Sequence, residues 1–160
     1  MNTIPAIALK NFAFSLILCL SVLQVQAQQV AAVPQARTSM LQFIIEKQPE
    51  LGNLIAKAGL APILSGDAAY TFLVPPASEI KDLKNEPAQR LRTILSGHIL
   101  KGKYLESDFK DGTTLETLAG TQLNICRKKD HTLVSGSRIV EANTEVKNGV
   151  IHQLSRSIKL

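Results

Sequence analysis

Five Xaa-Gly dipeptides cut the second half of this chain into short pieces: Lys101-Gly102, Asp111-Gly112, Ala119-Gly120, Ser135-Gly136 and Asn148-Gly149. Several of the segments between and after them are rich in β-branched residues, as in "RIVEANTEV" and "GVIHQL". Glycine at this spacing supplies turns and the β-branched runs supply strands, so the pattern predicts a compact β meander. Asn148-Gly149 is the strongest of these signals, because both residue types tolerate positive φ. It feeds a terminal strand that opens on Val150 and Ile151 and carries His152. That imidazole admits three roles: ligand, base or structural hydrogen-bonder.

The first half reads differently. Leu41, Ile44 and Ile45 recur at helical spacing with Phe43 beside them, and Thr38 or Ser39 can cap. Pro49 ends that helix and opens a second, Glu50 to Ala58, with Leu51, Leu54, Ile55 and Ala58 as its stripe and Gly59 after it. Ala61 to Leu64 is a short third turn. "YTFLV" (Tyr70 to Val74) is a strand stopped by Pro75-Pro76. Ser78 to Lys84 is a short helix, and Pro87 starts another with Leu91, Ile94 and Leu95 inward, ended by Gly97. Helices followed by a run of strands predict an α+β domain, with the helices on one side or end of a mainly antiparallel sheet system.

The extreme N-terminus is set apart. Lys10 and Asn11 precede the apolar run "FAFSLILCLSVL", and Val25-Gln26-Ala27 offers a peptidase site after Ala27. Residues 1–27 therefore read as a secretory signal peptide that is removed, and residues 28–37 as a polar linker. A lipoprotein cut before Cys19 is disfavoured by the bulky Leu18. Residues 38–160 form the single domain. Loss of Lys10 takes the formal charge from +5 to +4, a mildly basic balance unlike a nucleic-acid footprint. Cys19 leaves with the leader, so Cys126 has no internal partner and the core must hold without a disulfide. Tryptophan is absent, so stacking platforms for bases or sugars are scarce.

Familiar reactive motifs do not occur: no Gly-x-Ser-x-Gly, no phosphate loop, no dinucleotide fingerprint and no His-Glu-x-x-His. His98, His131 and His152 are far apart in sequence, and each is better read as a structural hydrogen-bonder than as part of a shared metal site. Cys126 sits in the alternating strand "LNICRK", which favours a partly buried inert thiol over a nucleophile. Arg127, Lys128 and Lys129 form a basic cluster at a hairpin tip. It reads either as a solvated turn or as an edge for acidic glycans or surfaces, helped by Lys101 and Lys103.

Four blocks, in order and at the right spacing, resemble the fasciclin domain, an adhesion module. "YTFLVPPASEI" matches the family's first signature, "LRTILSGHILKGKY" its middle block, "TLAGTQLNI" its third, and "SGSRIVEANTEVKNGVIHQLS" its last. The resemblance spans about residues 39–160. It implies a fasciclin-like wedge or sandwich with helices packed against it. It implies fold-determining roles for Pro75, Asn148, Gly149, His98 and His152, both histidines being structural. Departures from the pattern are local. Pro76-Ala77-Ser78 replaces the family's capping pair, leaving Ser78 as the nearby cap. Gly97 replaces the tyrosine of the Tyr-His pair linked to integrin contacts, and Ser135 replaces the turn asparagine.

The function that follows is a secreted, extracellular or periplasmic, non-enzymatic adhesion module. It would use surface patches and no cofactor or metal, and would bind a cell-surface or matrix protein or an acidic glycan. The alternative is a small-ligand-binding or hydrolytic protein with a cleft near the histidines, which a deep apolar pocket with converging polar groups would favour.

Overall fold

The computed structural model describes residues 38–159. The expected leader, its cut after Ala27 and the linker 28–37 lie outside the described residues. Three helices come first: α1 (Met40–Lys47), α2 (Pro49–Lys57) and α3 (Ala61–Ser65). Strand β1 (Tyr70–Val74) follows, then α4 (Ala77–Asp82), α5 (Ala88–Ser96) and β2 (Ile99–Lys101). The remainder is β3 (Thr114–Glu116), β4 (Gln122–Arg127), β5 (Thr132–Val134), β6 (Ser137–Val146) and β7 (Gly149–Leu154). None of the described helices is long and apolar enough to cross a membrane.

The strands make one seven-stranded mixed sheet in the order β2-β1-β7-β6-β5-β4-β3. All neighbours are antiparallel except β1 and β7, which run parallel from Tyr70 opposite Gly149 to Val74 opposite Gln153. A bridge between Leu100 and Thr117, and a hydrogen bond from Leu118 N to Ile99 O (2.7 Å), bring the two outer strands together. The sheet thereby nearly closes into a barrel-like wedge, the α+β architecture expected from the sequence.

Strand periodicity divides the core in two. Phe72 and Val74 of β1, Ile99 of β2 and Ile151 of β7 face the helices, where they meet Met40, Ile44, Leu51, Ile55, Leu64, Leu91 and Leu95. Leu73, Leu100, Leu123, Ile125, Val134, Ile139 and Leu154 face the inside of the wedge with Phe109. The central strands β1 and β7 are thus buried on both faces, which takes the polar Thr71 and His152 into the interior with the apolar residues.

Helix details follow local chemistry. Ser39 caps α1 by accepting from Gln42 N (3.3 Å), and Pro49 opens α2 at its first turn. Three expectations change. In α1 the inward pair is Met40 and Ile44, whereas Ile45 is 50% exposed. At 100° per residue, Ile45 lies about 120° round from the Met40–Ile44 line. Ser78 does not cap α4: the N-cap is Pro76, with no side-chain bond, and Ser78 lies within the helix. The β6–β7 turn is also shifted, since its loop is Lys147-Asn148 and Gly149 already pairs with Val146 as the first residue of β7. Asn148 is not at positive φ. The turn whose two central residues both have positive φ is Ser135-Gly136 (47° and 78°), between paired Val134 and Ser137.

Candidate functional site

The basic cluster caps the β4–β5 hairpin, which is closed by Lys128 N donating to His131 O (2.8 Å). Its three cations have different surroundings. The Arg127 guanidinium donates to the carbonyls of Glu106 and Phe109 (3.3 Å each), and Arg127 N donates to Asp111 Oδ1 (2.7 Å). Arg127 therefore ties the hairpin to the segment after β2. Lys128 and Lys129 are exposed, and among the described residues no carboxylate forms an ion pair with either. Asp130 is occupied by His131, whose Nδ1–H donates to Oδ1 at 2.9 Å and holds the carboxyl below its ordinary pKa. Glu106 and residues 127 to 132 line a shallow cleft of about 210 Å³.

Lys101 is exposed at the end of β2. Lys103 is exposed too, but its ammonium pairs with Glu145 of β6. Both belong to the stretch that leads through Tyr104 to Glu106, the residue that also lines the hairpin cleft.

The two deep histidines are built into the frame. His98 is fully buried at the end of α5: its Nδ1–H donates to Ile94 O (2.9 Å) and its Nε2 accepts from Ile158 N (3.0 Å). His152 is equally buried on β7: its Nε2–H donates to Tyr104 O (2.8 Å) and its Nδ1 accepts from Asn143 N (3.2 Å). The two rings thus use opposite tautomers, and each needs a neutral imidazole. Burial pushes both pKa values down. With both nitrogens bonded and no exposed surface, neither ring is offered to a cleft. Cys126, on β4, is a half-buried free thiol.

The remaining positions marked in the sequence are also wired to the backbone. The Pro75 carbonyl accepts from Gln153 Nε2 (2.9 Å). Asn148 is only 3% exposed; its Oδ1 accepts from Met40 N (2.7 Å), and its Nδ2 donates to Leu64 O and Gly66 O (2.9 Å each). One amide thus joins the start of α1, the end of α3 and the β6–β7 loop. Asn143 was not singled out by its sequence. It sits at φ 62° in a β6 irregularity opposite His152, and its Oδ1 accepts from Glu106 N (2.8 Å). Asparagine is among the few non-glycine residues that adopt this conformation readily, and a lone Asn within an alternating strand is the signal that marks it.

Comparisons with known proteins place this geometry. The chain is 30% identical over 128 residues to human periostin, covering 79% of this chain and 15% of that protein. It is 34% identical over 128 residues to the pig transforming growth factor-beta-induced protein ig-h3, covering 72% of this chain and 18% of that one. The chain therefore spans less than a fifth of the length of these animal relatives. A Synechocystis protein, sll1483, is 27% identical over 146 residues, and there 82% of this chain matches 81% of its counterpart. Among solved structures, a FAS1 domain pair from the insect cell adhesion molecule fasciclin I superposes with a TM-score of 0.60 at 16% identity. That match covers 77% of this chain and 51% of the other, and it shows the shared fold. A family model, the fasciclin domain, matches residues 47–159, and the chain belongs to the fasciclin domain family.

Proposed function

We propose that the chain is a secreted, non-enzymatic adhesion module that holds an acidic partner, a matrix or envelope glycan foremost, through the tip of the β4–β5 hairpin. The observation that carries this reading is the adjacent pair Lys128-Lys129, exposed and free of carboxylate partners among the described residues. Arg127 serves a different end: its bonds to the Glu106 and Phe109 carbonyls tie the hairpin to the segment after β2. Lys101 extends the basic character along the neighbouring stretch, and Lys103 does so less, because Glu145 offsets it. The adhesive role draws on family membership and on the insect cell adhesion molecule that shares the fold. Two buried imidazoles already committed to main-chain bonds fit a frame better than a reaction centre.

The test is retention of the secreted chain on a sulfated polysaccharide resin under a salt gradient. Wild type should elute late and its retention should fall as salt screens the lysines. The double variant Lys128→Glu, Lys129→Glu should elute well earlier with an unchanged urea midpoint. Equal elution of both proteins, independent of salt, would remove the hairpin as the site.

A further inference from the structure

His152 sits where two pieces of chain distant in sequence meet inside the wedge. On one side is the β6 irregularity at Asn143, whose amide is turned out of the strand ladder and onto His152 Nδ1. On the other is the segment 102–109, held through Tyr104 O by His152 Nε2–H. The two pieces also grip each other, since Asn143 Oδ1 accepts from Glu106 N. Further along, Tyr104 N donates to Thr71 Oγ1 (2.8 Å), and the Thr71 hydroxyl donates to Gly102 O (2.8 Å). Phe109, 1% exposed, closes the ring of contacts with its centroid 5.4 Å from the imidazole and 6.4 Å from that of Tyr104.

We propose that His152 is a proton-released latch on the β6 irregularity: a proton taken up at Nδ1 detaches Asn143 and frees this part of β6 from β7 and from Glu106, while the Nε2–H bond keeps Tyr104 in place. A protonated ring carries N–H at both positions, so the Asn143 N–H would face another donor in place of a lone pair. The positive-φ residue then loses the bond that holds its conformation, and the Asn143–Glu106 link goes with it.

The charged groups around the ring decide how readily this happens. β1 presents only Thr71 and Leu73. The segment 102–109 brings Lys103, Tyr104, Glu106 and Asp108. Of these, Lys103 is paired with Glu145 of β6, and Asp108 Oδ2 accepts from Leu105 N. From β4, Arg127 donates to the carbonyls on either side of the segment's last turn. β6 adds the exposed Glu145, whereas Glu141 lies on the other face of the sheet beside Gln153 and Phe43. Burial disfavours the proton and outweighs the Tyr104 carbonyl and the Glu106 carboxylate, which both favour it, while Asn143 covers Nδ1. Once Asn143 detaches, Nδ1 meets water and the ring moves back toward an ordinary imidazole pKa of about 6.5. Opening is therefore coupled to proton uptake.

Amide exchange followed by NMR on the full chain tests the latch. After correction for the intrinsic rate, exchange at Asn143 and Glu106 should accelerate about tenfold per pH unit below the free-imidazole pKa. Exchange at Leu73 and Ile151, in the central ladder, requires the whole fold to open, so it should follow the global stability and stay slower than at Asn143 and Glu106 throughout. His152→Gln keeps an acceptor and a donor without a titrating ring, and should flatten the response; His98→Gln should leave it intact. Protection at Asn143 that is constant from pH 7.5 to 5.5, or equal to that of the ladder at every pH, would overturn the proposal. Should His152→Gln fail to fold, the wild-type imidazole nitrogen shifts decide: protonation of His152 coincident with Asn143 exposure supports the latch, and Asn143 exposure while the ring stays neutral refutes it.

Discussion

Gly149 abuts the main chain of Tyr70 so closely that a Cβ at position 149 would overlap the Tyr70 carbonyl oxygen and lie 2.8 Å from its carbon. The contact arises where β7 begins its parallel run beside β1, with Tyr70 N donating to Asn148 O (3.1 Å). The glycine is also at φ 148°, outside the range that side chains favour. Gly149→Ala meets both penalties, and the obstacle is backbone that cannot step aside without shifting a central strand. The variant should lose about 3 kcal/mol or more, enough to threaten folding of a domain this size. A urea melt measures it; a midpoint equal to wild type would show that β1 and β7 can separate at no cost.

Asn148 is the second half of the same motif, and its side chain carries the effect. Asn148→Ala strands the Met40 N–H and the carbonyls of Leu64 and Gly66 in the interior, and should cost about 2–4 kcal/mol. Asn148→Asp keeps the acceptor for Met40 N but sets a carboxylate against two carbonyl oxygens. At neutral pH it should be at least as damaging as alanine. Below the carboxyl pKa the acid regains one donor, so the deficit relative to wild type should shrink on acidification. Paired denaturation curves at pH 7 and pH 4 give the answer, and a deficit that grows on acidification would contradict the assigned contacts.

How far such details can be read from the sequence depends on what determines them. The strand β1, the buried stripe of α2 and the order of strands after Gly97 follow from local periodicity and turn residues, and all are present as expected. Periodicity alone mistakes the inward face of α1, because three apolar arcs compete there. The choice of Met40 over Ile45 is made by tertiary contacts: the start of α1 is anchored to Asn148, and α2 crosses at Gly52, where an added Cβ would lie 2.9 Å from Ile45. The hairpin basic cluster is legible as charge, but the structural use of Arg127 is not, since its acceptors lie 18 and 21 residues away in the chain. Asn-Gly marks a turn correctly yet conceals that the asparagine acts as a buried three-way tie.

Ser135 offers a gain of stability. It stands at φ 47° in a turn that also has Gly136 at φ 78°, the geometry in which Asn-Gly is the preferred pair. Serine tolerates the left-handed region less well than asparagine. Ser135→Asn should therefore stabilise the domain by about 0.5 kcal/mol, read as a small rise in the urea midpoint with the slope unchanged. The Ser135 hydroxyl accepts only a long, exposed bond from Asn124 N (3.3 Å), so little is lost in exchange. A decrease in midpoint would show that this bond outweighs the backbone preference.

The buried histidines set how the whole fold responds to acid. Burial lowers the folded-state pKa of His98 and of His152. Above an unfolded imidazole pKa of about 6.5, both states are neutral at these positions and stability is full. As pH falls below that value the unfolded chain takes up protons that the folded chain refuses. Stability then drops toward the folded-state pKa values, with a limiting slope of about 1.4 kcal/mol per pH unit for each histidine. Glu79 acts in the same direction: the hydrogen bond from Ser157 holds its carboxyl below the ordinary value, so its contribution fades at still lower pH. Urea midpoints between pH 8 and pH 5 should be level at the alkaline end and decline from about pH 6.5 downward. Replacing either histidine by glutamine should roughly halve that decline. A flat profile through pH 5 in wild type would mean that the rings are protonated in the folded chain, against the acceptor roles that Ile158 N and Asn143 N require of them.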